Sequence, residues 1–410
     1  MDRRSFFKIA SAGAVGAGST VLLGGPKRLP PSERIGLAII GAGSRGQELM
    51  RYFLRLPGVE IRALCDVYEP RFGQAQKIIG RSVATYGDYR RLLDQARDVD
   101  AVVVATPLHL HAEHVIAALD SGRHVYGEKT MAYDIEQSNR IVETVRHTGK
   151  LYQVGHQYRY ASWYREALDR IRAGEIGQPT HIFGYWHRNS TWRRPVPEPK
   201  YERLINWRMY RAYSGGLMAE LGSHHVDFAN WLFGALPETV VGSGGIDFYK
   251  DGREVWDNIE VVFRYPGGRT FTFSSLLNNH KVGYQIWVYG SGGSVELTLE
   301  DGTFYYERNR PLPPNLNSSE VVERGVRTGA SYSVRGDMPY RGPGAPIKVP
   351  ETAAGNPNFM ACQAFIDSLR RQSRPFADER VGWASSICVH LANEAIEKGK
   401  RLRVADYVKA

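Results

Sequence analysis

Ile35-Gly36-Leu37-Ala38-Ile39-Ile40-Gly41-Ala42-Gly43-Ser44-Arg45-Gly46 is the stretch whose reading decides the fold. An apolar run of strand length empties directly into a glycine turn, after which Leu49, Met50, Phe53 and Leu54 recur at helical spacing. Val59-Glu60-Ile61-Arg62-Ala63-Leu64-Cys65 reads as a second strand and ends at Asp66. Strand, glycine turn, helix, strand and acid in this order make the dinucleotide-binding fingerprint. Gly41 permits the tight turn, Gly43 lets the backbone approach a pyrophosphate, and Gly46 lets the helix pack on the strand. Ser44 and Arg45 open the helix, whose free N–H groups suit an anion. Asp66 is placed to accept hydrogen bonds from the adenosine ribose and would repel a 2′-phosphate, so NAD is expected over NADP. Arg71, close by in sequence, keeps NADP open.

Outward from this stretch, residues 34–150 alternate strands and helices, the pattern of a Rossmann domain with a parallel sheet covered on both faces. Residues 99–105 form a β-branched, fully buried strand that ends at Thr106-Pro107-Leu108-His109-Leu110-His111, over the carboxyl edge of the sheet where ligands bind. Glu128-Lys129-Thr130 follows the short strand His124-Val125-Tyr126-Gly127 at the same edge. Residues 151–410 read as a second α/β domain, opened by a strand at 151–155 and a helix at 164–173. Alternating runs at 180–186, 240–248, 254–265, 270–277 and 284–289 predict a large, mainly antiparallel open sheet. Residues 309–357, rich in Pro, Gly and Ser, predict a long irregular excursion, and 359–370 and 380–398 two closing helices.

With 410 residues, 42% hydrophobic and 23% charged, the chain has the composition of a two-domain globular protein. Its formal charge of +10 is spread along the chain without a basic block or an aromatic-interleaved motif, which argues against nucleic acid and leaves a solvated basic surface or an anionic substrate such as a uronic acid. Residues 1–33 read as an address: Asp2-Arg3-Arg4-Ser5-Phe6-Phe7-Lys8 resembles the twin-arginine export motif, and a small-residue apolar stretch follows. The expected destination is the periplasm or cell envelope, by way of the twin-arginine machinery. No clear cleavage site precedes Pro30, so retention of the segment as an anchor stays open. Cys65, Cys362 and Cys388 lack metal or redox spacing and read as reduced core residues.

The glycine turn, Asp66, Thr106-Pro107 with His111, Glu128-Lys129, and Glu220-Leu221-Gly222-Ser223-His224-His225-Val226-Asp227 stand in one order along the chain. Together they resemble the glucose–fructose oxidoreductase / inositol dehydrogenase / MocA family over everything after the export segment. The resemblance implies a Rossmann domain joined to an α/β domain whose open sheet forms the substrate cleft and often an oligomer interface, a dimer or tetramer. It also implies hydride transfer between a nicotinamide and a sugar or cyclitol. The family usually reads Glu-Lys-Pro where this chain has Glu128-Lys129-Thr130, and the missing proline is expected to loosen the turn that aims the lysine. It more often has aspartate where Glu220 stands, which lengthens the carboxylate by one methylene.

The residues themselves point the same way. Oxidising a carbinol needs a base for its proton and an acceptor for its hydride. Lys129, at a strand's carboxyl end, could hold the substrate oxygen or share its proton; a plain surface lysine is the alternative. Glu220 and His224, four apart, would share one face if 218–231 is helical, so that the carboxylate orients the imidazole. Adjacent His224 and His225 point about 100° apart on a helix, which disfavours a metal; His225 and Asp227 are expected to pack. His111 is expected near the ribose or nicotinamide, or as a structural histidine, with Thr106, Pro107 and Glu128 lining the cofactor side. Trp192, Trp207 and Arg208, with Tyr158 and Arg159 as weaker candidates, suit a carbohydrate cleft, since indole faces stack on sugar rings and arginines bind hydroxyls or carboxylates. The leading expectation is an exported oxidoreductase with tightly bound NAD. The second is a redox-neutral glycosidase that oxidises, eliminates and re-reduces, and the third a non-catalytic nucleotide- or sugar-binding protein.

Overall fold

The computed structural model describes residues 34–307, 344–350 and 355–408; the expectations for residues 1–33 and for most of 309–357 lie outside these. The first half builds six parallel strands, β1 (Ile35–Ile40), β2 (Val59–Cys65), β3 (Ala84–Tyr86), β4 (Ala101–Val104), β5 (His124–Gly127) and β6 (Tyr152–Val154), in the order β3-β2-β1-β4-β5-β6. Helices α1 (Ser44–Phe53), α2 (Pro70–Ile79), α3 (Tyr89–Gln95), α4 (His111–Asp120) and α5 (Ile135–Thr148) connect them. This is the doubly wound order whose reversal, between β1 and β4, opens a crevice at the strands' carboxyl ends. β1 and β4 are buried along their whole length, as strands covered on both faces must be. Cap chemistry sets the helix ends: the Asp134 side chain accepts the Gln137 N–H to start α5, and Gly149 in the left-handed region closes it.

The second half adds α6 (Ser162–Arg172), β7 (Pro179–Trp186), the single turn α7 (Glu202–Ile205), α8 (Ser223–Phe233), β8 (Thr239–Gly245), β9 (Asn258–Arg264), β10 (Thr270–Leu276), β11 (Tyr284–Gly290), β12 (Gly293–Leu297), β13 (Gly302–Tyr306) and β14 (Ala345–Pro346). Helices α9 (Pro357–Arg371) and α10 (Glu379–Lys398) and strand β15 (Leu402–Arg403) end the chain. The nine-stranded sheet runs β14-β13-β12-β11-β7-β10-β9-β8-β15 and is antiparallel except where β10 pairs with β7. Alternation decides its two faces. In β9, Ile259, Val261 and Phe263 are buried among the core residues under the helices, while Glu260, Val262 and Arg264 face outward. The outward face carries Phe183, Trp287, Tyr289 and Tyr305 in mutual ring contact.

Several boundaries differ from the sequence reading. β8 stops at Gly245 and β9 starts at Asn258 because the Asp257 carboxylate accepts the N–H groups of Asp247, Phe248 and Tyr249, folding this stretch away from the ladder. The strand expected to open the second domain is β6, the edge of the first sheet. Helix α9, grouped by sequence with the second half, packs on the first: Cys362, Phe365 and Leu369 share a core with Leu49 and Phe53, and Phe365 meets Phe53 and Tyr126 edge-on. A division at residue 150 therefore does not follow the packing. All three cysteines are buried and free.

Candidate active site and cofactor cleft

A cleft of about 1310 Å³ lies along the carboxyl edge of the first sheet, walled on its other side by the second half of the chain. Gly41, at φ 98°, forms its floor; a Cβ there would stand 2.5 Å from the Ala105 carbonyl oxygen, so the switch point closes only around glycine. Gly46 is equally constrained, with a Cβ position 2.0 Å from the Gly41 oxygen. Gly43 differs: its nearest neighbour would be the Arg71 guanidinium at 3.7 Å, leaving room beside the turn. Helix α1 begins there with no side-chain cap, so its first amide N–H groups are available to an anion. Residues that carry orphaned buried polar atoms, Arg45 at Nη2 and Gln157 at Oε1, line the same cleft. An open cradle, an uncapped helix start and unmet polar atoms fit a dinucleotide.

Asp66 holds this turn together: Oδ2 accepts the Ala42 N–H at 2.8 Å and Oδ1 the Tyr68 N–H at 2.9 Å. Arg71 pairs with the same carboxylate at 3.1 Å, so the acid expected to repel a 2′-phosphate has a cation beside it. Arg45 is a brace: its guanidinium donates to Glu128 at 2.8 Å and to Glu48 and Asn358, tying α1 to the turn after β5 and to α9. Ser44 accepts a hydrogen bond from Arg194, 2.9 Å away on the second half. Thr106 and Pro107 line the cleft as expected. His111 also lines it, yet its ring is wedged between two cleft turns, with Nδ1 2.7 Å from the Thr130 carbonyl and Nε2 2.9 Å from the Thr106 carbonyl, one of which accepts its N–H.

Lys129 follows β5 into the cleft, where its Nζ donates to the carbonyls of Ala219 (3.1 Å) and Glu220 (2.9 Å). Burial lowers its pKa, and the Glu220 and Glu128 carboxylates oppose that. The turn is not loosened by the missing proline. The Thr130 hydroxyl donates to Ala219 O at 3.1 Å, and His111 Nδ1 lies 2.7 Å from the Thr130 carbonyl. The acceptor carbonyls belong to residues 218–222, which form one π-helical turn ahead of α8.

That wide turn also changes the expected Glu220–His224 pair. Glu220 accepts from Arg208 Nε at 2.8 Å, and no hydrogen bond joins it to His224. Burial opposes its ionisation, but Arg208 and Lys129 outweigh this and hold the Glu220 carboxyl below its ordinary value. His224 lines the cleft within a ring cage of Tyr158 (4.6 Å), His156 (5.6 Å) and Trp186 (5.9 Å), and its Nδ1 is buried without a hydrogen-bond partner. Burial, then Lys129 and His156, keep its pKa well below 6.5, so it is a neutral imidazole. His225 points elsewhere, packing against Tyr284 (4.6 Å) and Phe273 (4.9 Å).

Tyr158, Trp192, Trp207 and Arg208 all line the cleft, and Trp192 adopts the left-handed region at φ 62°. Arg159 does not: it is buried against Asp227 at 2.8 Å and lies over Trp231, a structural pair rather than a substrate contact. A strap of residues 187–214 reaches across to the first half. Arg194 bonds Ser44, Tyr201 meets Tyr68 at 5.0 Å, and Tyr213 meets His109 at 4.8 Å. Sequence reasoning missed His109, Gln157, Trp186 and Arg188, which line the cleft, and His156, which stands behind His224. For His156 and Gln157 the end of β6 was the available signal, and for His109 the turn after β4; Trp186 and Arg188 depend on the crossing of the two halves.

Residues 35–156 match a family model described as an oxidoreductase family with an NAD-binding Rossmann fold. Residues 164–296 match the model of the GFO/IDH/MocA C-terminal domain. The chain is 25% identical over 327 residues to a levoglucosan dehydrogenase of Pseudarthrobacter phenanthrenivorans, covering 72% of this chain and 80% of that one. It is 28% identical over 271 residues to a 2,7-anhydro-N-acetylneuraminate hydratase of Mediterraneibacter gnavus, covering 65% and 68% respectively. A solved structure of levoglucosan dehydrogenase with NADH and levoglucosan superimposes with a TM-score of 0.73 at 19% identity, over 91% of this chain and 100% of that one.

Proposed function

The chain belongs to the GFO/IDH/MocA oxidoreductase family, and on that premise we propose that it oxidises a hydroxyl of a sugar or cyclitol and passes the hydride to NAD held in the cleft. Lys129 and His224 carry this reading: two proton-accepting groups, one half-buried and one buried, line one cleft beside the glycine turn. The turn at 41–46 and the start of α1 would hold the pyrophosphate, with Asp66 at the ribose end. Bound there, the nicotinamide supplies the hydride acceptor. The carbinol proton goes to Lys129, whose lowered pKa raises the share of free amine, or to the neutral His224. Tyr158, Trp186, Trp192 and Trp207 provide apolar faces for a sugar ring and exclude water from the reacting end. Single-turnover absorbance near 340 nm, on adding sugars and cyclitols to NAD-loaded protein, tests this. No reduction with any polyol would refute it.

A redox-neutral cycle is the second reading. It is favoured by the strap across the glycine-turn end of the cleft, which suits a cofactor retained between turnovers, and by the likeness to an anhydro-sugar hydratase. Nucleotide that stays with the protein through gel filtration supports it, and ready exchange with free NAD counts against it. Arg3-Arg4 and the following apolar stretch support export by the twin-arginine route to the periplasm or envelope, with retention as an anchor open. The aromatic outward face of the nine-stranded sheet supports a homo-oligomer with a second copy seated there. Trp287→Glu should then lower the mass seen by analytical ultracentrifugation; an unchanged mass would exclude this face.

A further inference from the structure

Most of the cleft's arginines are neutralised by a carboxylate: Arg45 by Glu128 at 2.8 Å, Arg71 by Asp66 at 3.1 Å, Arg90 by Glu113 at 2.6 Å, Arg208 by Glu220 at 2.8 Å, and Arg193 by Glu202. Arg203 lies on the exposed rim. Two others on the cleft wall have no carboxylate within ion-pair distance among the described residues, Arg188 and Arg194. They serve opposite ends. Arg194 bonds Ser44 at the start of α1, where a pyrophosphate would sit. Arg188 leaves the end of β7 and lies over the Trp186 ring at 5.0 Å, half-buried, with no side-chain hydrogen bond among the described residues.

The surroundings of Arg188 sharpen its isolation. The charged and titratable groups that act on it are Tyr158, Glu220 and Arg208. Glu220 is also the carboxylate that answers Arg208 and Lys129. Glu220 is thus the one carboxylate that acts on Arg188, and it is ion-paired to Arg208; the second acid near Lys129, Glu128, is ion-paired to Arg45. Each of these carboxylates is held by another cation, so Arg188 is left without an ion pair of its own in a partly desolvated site. Leaving such a charge uncompensated is costly, and a substrate anion would relieve it.

We propose that the substrate carries an anionic substituent, a carboxylate or a phosphate, and that Arg188 binds it while the ring lies against Trp186 and Tyr158. A guanidinium held on an indole face is pre-organised to donate two parallel hydrogen bonds to such a group. This deepens the sugar-site reading above and rests on it. Neutral sugars should enter the same cleft but leave Arg188 unpaired.

The test is equilibrium binding to NAD-saturated protein, read by tryptophan fluorescence, because Trp186, Trp192 and Trp207 line the cleft. Methyl β-glucuronide and methyl β-galacturonide are compared with the corresponding methyl glycosides, and glucose 6-phosphate with glucose. Wild type should bind at least one anionic probe about tenfold or more tightly than its neutral counterpart, and the arm that does so identifies the substituent. Arg188→Gln should bring that pair to parity, and Arg188→Lys should keep part of the preference, with folding of both followed by circular dichroism melting. Two results would overturn the inference: no anionic probe bound more tightly than its counterpart, or Arg188→Gln weakening both members of a pair equally. Absorbance at 340 nm separates the two readings. Arg188-dependent binding, with no NADH formed from these probes or from any polyol of the panel above, refutes the dehydrogenase and upholds the anion site; oxidation of neutral sugars with no anion preference does the reverse.

Discussion

Gly43 and Gly46 are neighbours in one motif, and the structure assigns them opposite consequences. At Gly43 the backbone is φ −71° and ψ −172°, a region any residue adopts, and an added Cβ would have its nearest neighbour 3.7 Å away. Gly43→Ala should therefore leave stability within about 0.5 kcal/mol of wild type. Its methyl group projects beside the uncapped start of α1, where close approach of a phosphate is required. Losing one charge-assisted hydrogen bond there costs about 1.5–3 kcal/mol, which is roughly 10- to 150-fold in the Kd for NAD. At Gly46 the added Cβ would stand 2.0 Å from the Gly41 carbonyl oxygen, so α1 must move off β1. Gly46→Ala should destabilise the fold by about 1–3 kcal/mol or more before any ligand is considered. Thermal unfolding of nucleotide-free protein reads the first quantity, and NAD titration by fluorescence the second. Wild-type NAD affinity in Gly43→Ala would refute the phosphate cradle.

Lys129→Met and His224→Ala should each slow single-turnover NAD reduction by about 10²–10⁴-fold with NAD affinity nearly unchanged. If Lys129 is the base, the wild-type rate rises with pH through a pKa below the usual 10.5, and the rise vanishes in Lys129→Met; a profile unaltered by that change removes the role. Asp227→Ala strands Arg159 as a buried, unpaired cation and should cost about 3–5 kcal/mol in denaturant unfolding. A loss confined to sugar affinity, with stability intact, would return Arg159 to the substrate list. Burial holds His114, His156, His225 and His390 at about 4, against 6.5 for a free imidazole. They are neutral when folded and gain protons on unfolding below pH 6.5, so stability should be flat above that and fall from 6.5 towards 4. A melting temperature unchanged across that window would contradict the burial assignment.

The sequence alone determined what depends on short-range pattern. The glycine turn, the strand before it and Asp66 after it lie within one βαβ unit, and their spacing fixes a nucleotide crevice because only that local geometry satisfies the turn. Lys129 and His224 were legible for a related reason: each follows a recognisable motif, and the ends of parallel strands define an edge. Tertiary structure decided the partners. Glu220 and His224 stand four apart in sequence, but the π-turn at Met218–Gly222 and the arrival of Arg208 give the carboxylate to a cation instead. Arg159 and Arg188 look alike as lone arginines beside aromatic residues, and only the arrival of Asp227 on α8 beside the first, with no described carboxylate within ion-pair distance of the second, separates a structural ion pair from an unpaired charge. Helix α9 returns to the first sheet because its apolar stripe fits the face left open beside α1, a choice of surface that periodicity cannot express. Pattern specifies which side chains seek burial or charge; which partner they find is set by contacts between residues far apart in the chain.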